Sequence, residues 1–370
     1  MRIAILTELF PPYLQGGSER RCYEIARRLA KSHEVHVYTM LIAGSRREEL
    51  LEGIHVHRLG KAHPLKTRAY LPLAPFFYEA VKRVSSERFD VIDCTAYVSA
   101  LAGFIAAKWT HTPCTVTVHD IYGPKWGFFL GSPVLGLAGR LIELIMLKLP
   151  FDGFVTGTSG SRRLIEQYGP KDVSVIPYGV DGVFYERYGV KREKKVLYVG
   201  RLVPLKRVHD LLNAFAVVSK KHPAVILELV GDGPLKGELE ALADELGIKG
   251  KVIFTGSLRS HKEVARKMQE SMVLVNPSVR EGFGLVLVEA MCSGTPPVGY
   301  KLDAYSDFAD SSNSVLVAKG DWKGLADAIS GLLENRRRWA LLSKKGMRTA
   351  KDMSWDDTIK KIERFYAGLR

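Results

Sequence analysis

Two glutamates flank a glycine-rich turn in the C-terminal half of the chain, in the segment EGFGLVLVE at residues 281–289. A strand-like run at 273–276 precedes the turn, and the pattern predicts a helix that begins near Gly284. Glu281 then lies just ahead of the helix and Glu289 within its first two turns. Glu281 could simply cap this helix and Glu289 could lie on a solvated face; the functional alternative is hydrogen bonding to sugar hydroxyls.

The start of this helix is also a candidate anion site, because the first N–H groups of a helix have no carbonyl partner within it and carry positive partial charge. A phosphate placed there would lie beside both carboxylates. The amides in question belong to Phe283, Gly284 and Leu285.

A second cluster of candidate residues is the segment VGRLVPLK at residues 199–206, where a predicted strand ends at Gly200 and two cations follow. Arg201 and Lys206 can reach one anionic ligand from the strand end, Arg as a bidentate fork and Lys as a point charge. The alternative is an ordinary pair of solvated surface cations.

Three weaker signals lie at other predicted strand ends. Gly17, in the pair Gly16-Gly17 ahead of the first long helix, would let backbone amides approach an anion, or would form a plain tight turn. His119 follows the run 115–118 and could act as acid, base or hydrogen-bond donor, or be structural. The VGDGP segment at 230–234 is expected to be mainly a structural turn.

We expect no metal site and no cofactor. The chain has no D-x-D, H-E-x-x-H or G-x-x-x-x-G-K-[ST] motif, and its histidines show no metal-ligand spacing. The four cysteines, which lack CxxC spacing, are expected to be reduced and mostly buried, as is usual for a cytosolic protein.

The elements that position these residues alternate between strand and helix, which predicts an α/β fold with parallel sheets and helices on both faces. The pattern pauses at 176–195, where glycine, proline and a charge run mark a domain boundary. We therefore predict two doubly wound, Rossmann-like domains, 1–180 and 195–354, followed by a helix at 355–370. Strand-length apolar runs occur at 3–6, 35–38, 54–59, 91–94, 115–118, 154–156, 196–199, 225–230, 252–255, 273–276, 297–299 and 315–317.

Two open parallel sheets in tandem would place ligands outside the carboxyl ends of their strands. If those edges face one another, they form one cleft suited to a two-substrate enzyme or a nucleotide-binding hinge protein. The sequence also predicts individual helices at 19–30, 205–220, 235–246 and 262–270.

The composition of the chain excludes several classes of protein. The 370 residues are 46% hydrophobic and 25% charged, so disordered and fibrous classes are excluded. No stretch of transmembrane length lacks charge, and the N-terminus is expected to be a first strand and not a signal peptide. The net charge of +14 is dispersed and indicates a general attraction to anions. The chain has only four Asn and three Gln, which hints at a thermophile.

Taken together, these segments resemble the GT-B retaining glycosyltransferases of family 4. The resemblance runs over nearly the whole chain, and the ordered set is much more specific than any single piece. Its segments are GGSER near the start, VHD at 118–120, VIPYGVD at 175–181, YVGRLVPLK at 198–206, VGDGP at 230–234 and REGFGLVLVEAMCSGTPPV at 280–298.

The resemblance implies two domains facing across a cleft and a metal-independent transfer of a hexosyl group from a UDP- or GDP-sugar. Glu281 would contact donor-sugar hydroxyls, Glu289 the ribose, and His119 the sugar near the reacting centre. Arg201 and Lys206 would bind the diphosphate, helped by Gly17 and by the amides of Phe283, Gly284 and Leu285. The final helix would cross back onto the first domain.

The donor-side loop departs from the family pattern. Relatives continue after Pro297 with a Gly-Gly-x-Pro-Glu-like loop, whereas this chain has GYKLDAY at 299–305. This difference leaves the choice of sugar open.

The acceptor is expected on the first domain, as a sugar or as an anionic, lipid-linked molecule. Arg46, Arg47, Lys66 and Arg68 are candidate contacts, because cations beside apolar residues such as Phe76 and Phe77 suit a phosphate attached to a lipid. The alternative is that both phenylalanines belong to the core. This interpretation places the protein in the cytoplasm; a lipid-linked acceptor would add peripheral binding to the inner membrane face, whereas a soluble sugar acceptor would not.

Two other functions stay open from the sequence. A nucleotide-sugar 2-epimerase would share the fold, and a basic protein that binds nucleic acid or membrane without catalysis would share the charge. The dispersed charge and the lack of known nucleic-acid-binding motifs argue against sequence-specific nucleic-acid binding.

Overall fold

The computed structural model describes residues 1–13, 16–64 and 73–369. The chain divides into two compact units, and the first of them is discontinuous. It comprises Met1–Tyr178 and Trp355–Arg370, whereas the second unit is the single segment Gly179–Ser354.

The first unit is built on an eight-stranded sheet. Its strands are β1 (Arg2–Leu6), β2 (Glu34–Ile42), β3 (Glu48–Leu51), β4 (Ile54–His63), β5 (Val91–Thr95), β6 (Cys114–Thr117), β7 (Gly153–Thr156) and β8 (Ser174–Val175). Their order is β3-β4-β2-β1-β5-β6-β7-β8, and every pairing is parallel except that of β3 with β4. The sequence did not predict the two short edge strands, β3 and β8.

Both faces of this sheet are buried, as expected of a doubly wound fold. Ala4 and Leu6 belong to one hydrophobic cluster, whereas Ile3 and Ile5, which point to the opposite face, are equally inaccessible. The covering helices are α1 (Gly17–Leu29), α2 (Leu73–Ser85), α3 (Val98–Thr110), α4 (Trp126–Leu130), α5 (Pro133–Lys148) and α6 (Ser159–Glu166).

The second unit has a six-stranded sheet in which every pairing is parallel. Its strands are β9 (Lys195–Val199), β10 (Ile226–Val230), β11 (Val252–Gly256), β12 (Val273–Asn276), β13 (Pro297–Tyr300) and β14 (Val315–Val317). Their order is β11-β10-β9-β12-β13-β14, so the chain reverses its direction of winding between β9 and β12. This reversal is the topological switch point, where open α/β sheets bind their ligands.

The helices of the second unit are α7 (Val208–Lys221), α8 (Lys236–Glu245), α9 (His261–Glu270), α10 (Leu285–Cys292), α11 (Trp322–Glu334) and α12 (Arg336–Ala350). The continuous helix predicted at 205–220 is wrong at its start. A 3₁₀ turn at Pro204–Lys206 ends at Arg207, whose φ of 48° is left-handed, and only then does α7 begin.

The last helix, α13 (Trp355–Ala367), returns to the first unit. It packs against α1, and Arg28 of α1 places its guanidinium over the ring of the buried Trp355. The Tyr366 hydroxyl donates to Asp93 of β5 at 2.7 Å. The helix is therefore part of the core of the first unit.

Two further observations concern the whole chain. All four cysteines are free and buried, which confirms the expected buried thiols. Within the described ranges, no helix is both long and apolar enough to cross a lipid bilayer.

Candidate active site

The candidate site of the second unit lies at the switch point between β9 and β12. Arg201 and Lys206 follow β9, and Glu281 follows β12 in the loop before α10. The Tyr198 hydroxyl, at the end of β9, donates to the carbonyl of Arg201 at 2.8 Å and so holds the loop that carries the first cation. The Arg201 side chain itself is exposed.

Glu281 and Lys206 form the central ion pair of this site. The Lys206 Nζ is 2.5 Å from Glu281 Oε1, which also accepts a hydrogen bond from the Asn276 amide at 3.1 Å. Burial alone would raise the pKa of Glu281, but the charge and hydrogen bond of Lys206, with hydrogen bonds from Ser278 and Asn276, lower it overall. The site therefore holds an ionised carboxylate in a largely dry environment.

The start of α10 requires a glycine at position 284. Gly284 has a φ of 95°, and a Cβ there would lie 2.3 Å from Cε1 of Tyr305. The Tyr305 hydroxyl accepts a hydrogen bond from Asn276, which also donates to Glu281, so the helix start and the ion pair share one framework. The first-turn amides of α10 have no carbonyl partner within the helix, as an anion site needs.

The other residues predicted around this helix are found within or beside it. Phe283 is buried and packs against the ring of Phe308, with ring centroids 5.3 Å apart. Leu285 is the first residue of α10 and is partly buried. Glu289 is only 5% exposed, so a fully solvated face is excluded for it.

The turn after β10 is explained by packing. A Cβ at Gly231 would lie 1.9 Å from the carbonyl oxygen of Gly200, and one at Gly233 would lie 2.4 Å from that of Leu202. Only glycines allow this turn to lie against the loop after β9. The VGDGP segment therefore shapes the wall that carries Arg201.

In the first unit, His119 lies directly beyond β6. Its Nδ1 is hydrogen-bonded to the hydroxyl of Tyr178, whose ring lies beneath the guanidinium of Arg21 at 5.2 Å. Burial, with a smaller contribution from the Arg21 charge, lowers the pKa of His119 to about 3, so its imidazole is neutral. The buried Nε2 has no hydrogen-bond partner among the residues that the structure describes.

In neutral His119, Nδ1 is bonded to Tyr178, so only Nε2 is left to interact with a ligand. When Tyr178 donates to Nδ1, the proton of His119 lies on Nε2, which then becomes a hydrogen-bond donor for a ligand. Arg21 also donates to the Thr117 hydroxyl at 3.4 Å, so β6 and α1 together fix this arrangement. Gly17, the other predicted residue of this unit, is the first residue of α1.

Four residues of these arrangements were not predicted: Arg21, Tyr178, Asn276 and Tyr305. Tyr178 lies inside the recognised VIPYGVD segment, and Asn276 ends a predicted strand, so position alone could have suggested both. Arg21 and Tyr305 act through long-range contacts that carry no local sequence signal.

The proposed acceptor cations are only partly described. Lys66 and Arg68 lie outside the described residues. Arg47 donates to the carbonyl of Gly60 at 3.2 Å and lies 3.7 Å from Glu79, while the Arg46 carbonyl accepts from Arg58. The idea that Phe76 lies exposed beside these cations is wrong, because Phe76 is a residue of α2 whose side chain is fully buried in the hydrophobic core.

Among the described residues, no group of three or more His, Cys, Asp or Glu side chains is arranged to hold a metal ion.

Two tandem parallel-sheet α/β units, each with candidate polar residues at strand carboxyl ends, define the GT-B architecture. A family model described as "Glycosyltransferase Family 4" matches residues 15–182, and one described as "Glycosyl transferases group 1" matches residues 186–349. The chain therefore belongs to the family 4, group 1 glycosyltransferases, and the protein is a glycosyltransferase.

Individual relatives agree with this assignment. The D-inositol 3-phosphate glycosyltransferase of Thermomonospora curvata is 28% identical, over 96% of this chain and 91% of its own. In structure, the sucrose-phosphate synthase of Thermosynechococcus elongatus superimposes with a TM-score of 0.83 at 21% identity, over 100% of this chain and 98% of that one. Anabaena HepE, solved in complex with UDP and glucose, gives 0.80 at 22% identity over 99% of both chains.

Proposed function

We propose that this protein transfers a hexosyl group from a UDP- or GDP-sugar to a sugar, lipid-linked or phosphorylated acceptor, with retention of anomeric configuration and without a metal ion. The observation that carries the proposal is the partly buried Glu281–Lys206 pair at the switch point, directly before the start of α10. A carboxylate that accepts from sugar hydroxyls and a cation that meets diphosphate are the two contacts such a donor needs.

The donor contacts are assigned by chemistry. Lys206, Arg201 and the amides at the start of α10 bind the diphosphate, with Gly17 contributing from the start of α1. Glu281 accepts hydrogen bonds from the sugar, and Glu289 from the ribose. The amides in question are those of Phe283, Gly284 and Leu285.

Catalysis in this proposal is electrostatic. Cleavage of the sugar–diphosphate bond develops negative charge on the leaving diphosphate, and Arg201, Lys206 and the helix amides stabilise that charge without reorganising. Neutral His119 donates from Nε2 to a sugar oxygen near the reacting centre.

We infer a UDP-sugar as the first donor to test, since the similar HepE has been solved with UDP-glucose. The decisive experiment measures release of UDP or GDP from a panel of nucleotide sugars, with and without candidate acceptors. Acceptor-dependent release and a new glycoside support transferase activity, and proton NMR of its anomeric signal tests retention. Epimerisation of the donor alone would instead favour the 2-epimerase alternative.

The acceptor is proposed to be anionic and membrane-linked, reached from the cytoplasmic face. The support is the charge of +14 and the cations Arg46 and Arg47 on the first unit. A lipid phosphate and a soluble sugar phosphate share the recognised group, so turnover with each distinguishes the two sources.

A further inference from the structure

Helix α5 of the first unit carries an apolar face that nothing in the described chain covers. Val134, Leu137, Leu141 and Ile145 are 78%, 70%, 57% and 44% exposed. They are three or four residues apart and so lie along one side of the helix. We call these four residues the α5 stripe. Exposed apolar surfaces of this continuity mark sites of protein or membrane contact.

The opposite side of α5 is firmly packed, so the outward direction of the stripe is fixed. A Cβ at Gly136 would lie 2.3 Å from Cα of Gly127 in α4, and one at Gly139 would lie 2.7 Å from the Trp126 ring. Glu143 is fully buried and accepts hydrogen bonds from the amides of Tyr122 and Gly123, each at 2.7 Å. Rotation of the helix to hide the stripe would break these contacts.

The charges around the stripe are cationic. Glu143 is the single acid of α5 and is buried, whereas Arg140 is partly exposed and Lys148 is exposed. Lys125, exposed just before α4, adds a third cation. An apolar face bordered by cations complements an anionic lipid surface, because the stripe enters the acyl boundary while the cations meet phosphates.

Helix α5 has the length expected of an amphipathic helix that lies on a membrane surface and does not cross it. Its 16 residues span about 24 Å, less than the hydrocarbon core of a bilayer, and one side is polar or tightly packed. It would therefore lie in the plane of the interface.

We propose that α5 docks this protein onto an anionic phospholipid surface through the α5 stripe, with Arg140 and Lys148 at the level of the lipid phosphates. The purpose of this docking rests on the proposed function, because binding to the membrane would bring the first unit to a lipid-linked acceptor. Lipid binding itself is measured without donor or acceptor.

The test is co-flotation of the whole protein with vesicles. Vesicles of phosphatidylcholine mixed with phosphatidylglycerol should carry the wild-type protein at low salt, and vesicles of phosphatidylcholine alone should carry much less. The L137E/L141E variant should lose binding by at least about tenfold, because two exposed leucines that would enter the lipid are replaced by charges that lipid phosphates repel. The R140Q/K148Q variant should bind less tightly and with a weaker salt dependence.

Leu341→Glu is the matched control. Leu341 lies on α12 of the second unit and is 55% exposed, so it tests whether any exposed leucine has the same effect. Its flotation should equal that of the wild type. Circular dichroism and slow hydrolysis of the donor in solution check that each variant is folded.

Failure of wild-type flotation on the anionic vesicles, or equal flotation of L137E/L141E, overturns the proposal. Light scattering that shows a dimer which L137E/L141E converts to monomer would assign the stripe to a second copy of this chain instead. Donor turnover is read separately, so a protein that floats but releases no nucleotide contradicts the proposed function, and one that transfers sugar but never floats contradicts only the docking.

Discussion

At the scale of single residues, the candidate site depends on how neighbours set the charge of buried groups. Lys206 holds Glu281 in its ionised form against the effect of burial, while burial and Arg21 keep His119 neutral. One carboxylate is thereby kept as a hydrogen-bond acceptor and one imidazole as a donor. Both states suit the recognition of sugar hydroxyls.

The two glutamates should give separable phenotypes. Glu289→Ala should weaken binding of the free nucleoside diphosphate by roughly 1.5–3 kcal/mol, since it removes a charged hydrogen-bond acceptor for ribose. Glu281→Ala should leave that affinity nearly unchanged and lower turnover. Isothermal calorimetry and steady-state kinetics measure the two effects, and the reverse pattern means that the assigned roles are exchanged.

His119 should make stability depend on pH in a defined direction. The folded pKa of about 3 lies below the ordinary value of 6.5, so the unfolded chain binds this proton more tightly. The contribution of neutral His119 is complete above pH 6.5 and is lost as the pH falls towards 3, with a slope of up to about 1.4 kcal/mol per pH unit.

The measurement compares chemical unfolding of the wild type and His119→Gln between pH 7 and 5. The free-energy difference between them should change with pH, because the amide does not titrate. An imidazole NMR signal of His119 that titrates near pH 6.5 would contradict the assignment.

Activity should not require a divalent metal ion, because Arg201 and Lys206 can neutralise the diphosphate and the chain lacks a D-x-D motif. Turnover in excess EDTA should equal turnover in Mg²⁺. Loss of turnover with EDTA that Mg²⁺ or Mn²⁺ restores would refute this expectation. Arg201→Gln should reduce turnover under both conditions.

At the scale of elements, strand ends and helix starts decide where the chemistry lies. Gly284 combines a left-handed backbone with a Cβ position occupied by Tyr305. Gly284→Ala should therefore destabilise the second unit by about 2 kcal/mol or more and shift the start of α10, lowering donor affinity. Gly237 in α8 has open space at its Cβ position, so Gly237→Ala should be neutral or slightly stabilising.

Thermal unfolding and donor titration of the two glycine variants test this explanation. Equal effects of G284A and G237A would mean that position 284 is not constrained as described.

The parallel strands other than the two-residue β8 were predictable because strands covered on both faces are continuous apolar runs. β3 was missed because its sequence, EELL, is short, half polar and at a sheet edge. The break at Arg207 was missed because Arg207 itself is neither glycine nor proline, and Pro204 is equally compatible with the start of a continuous helix. α5 was not predicted as a helix, and its apolar residues face outward as well as inward, so they show no clear amphipathic period.

For the candidate site, the positions of the main residues were predictable from the sequence, but their contacts were not. Arg201, Lys206 and Glu281 follow strands, so their position could be inferred from topology. The contacts that set their charges, such as Asn276 to Glu281 or Arg21 above Tyr178, join segments whose proximity depends on the fold.

At the scale of the whole molecule, α13 completes the first unit although it follows the second in sequence. Deletion of residues 355–370 should loosen the first unit, because it removes the buried Trp355 from the core and the hydrogen bond from Tyr366 to the partly buried Asp93. Hydrogen exchange should accelerate in β1 and β5 and stay unchanged in β9 and β12.

Tyr366→Phe is the milder companion variant, since it removes that hydrogen bond alone and should accelerate exchange mainly in β5. Faster exchange in the strands of the second unit would show that α13 supports that unit instead.

The discontinuity of the first unit has a consequence for biosynthesis. Its sheet leaves the ribosome early, but the helix that covers part of it is made only after the whole of Gly179–Ser354, a delay on the order of tens of seconds. The second unit is contiguous and can close as soon as its own segment has emerged. The half of the protein that is translated first is thus the half that finishes folding last, and in the interval the apolar surface that α13 will cover stays accessible.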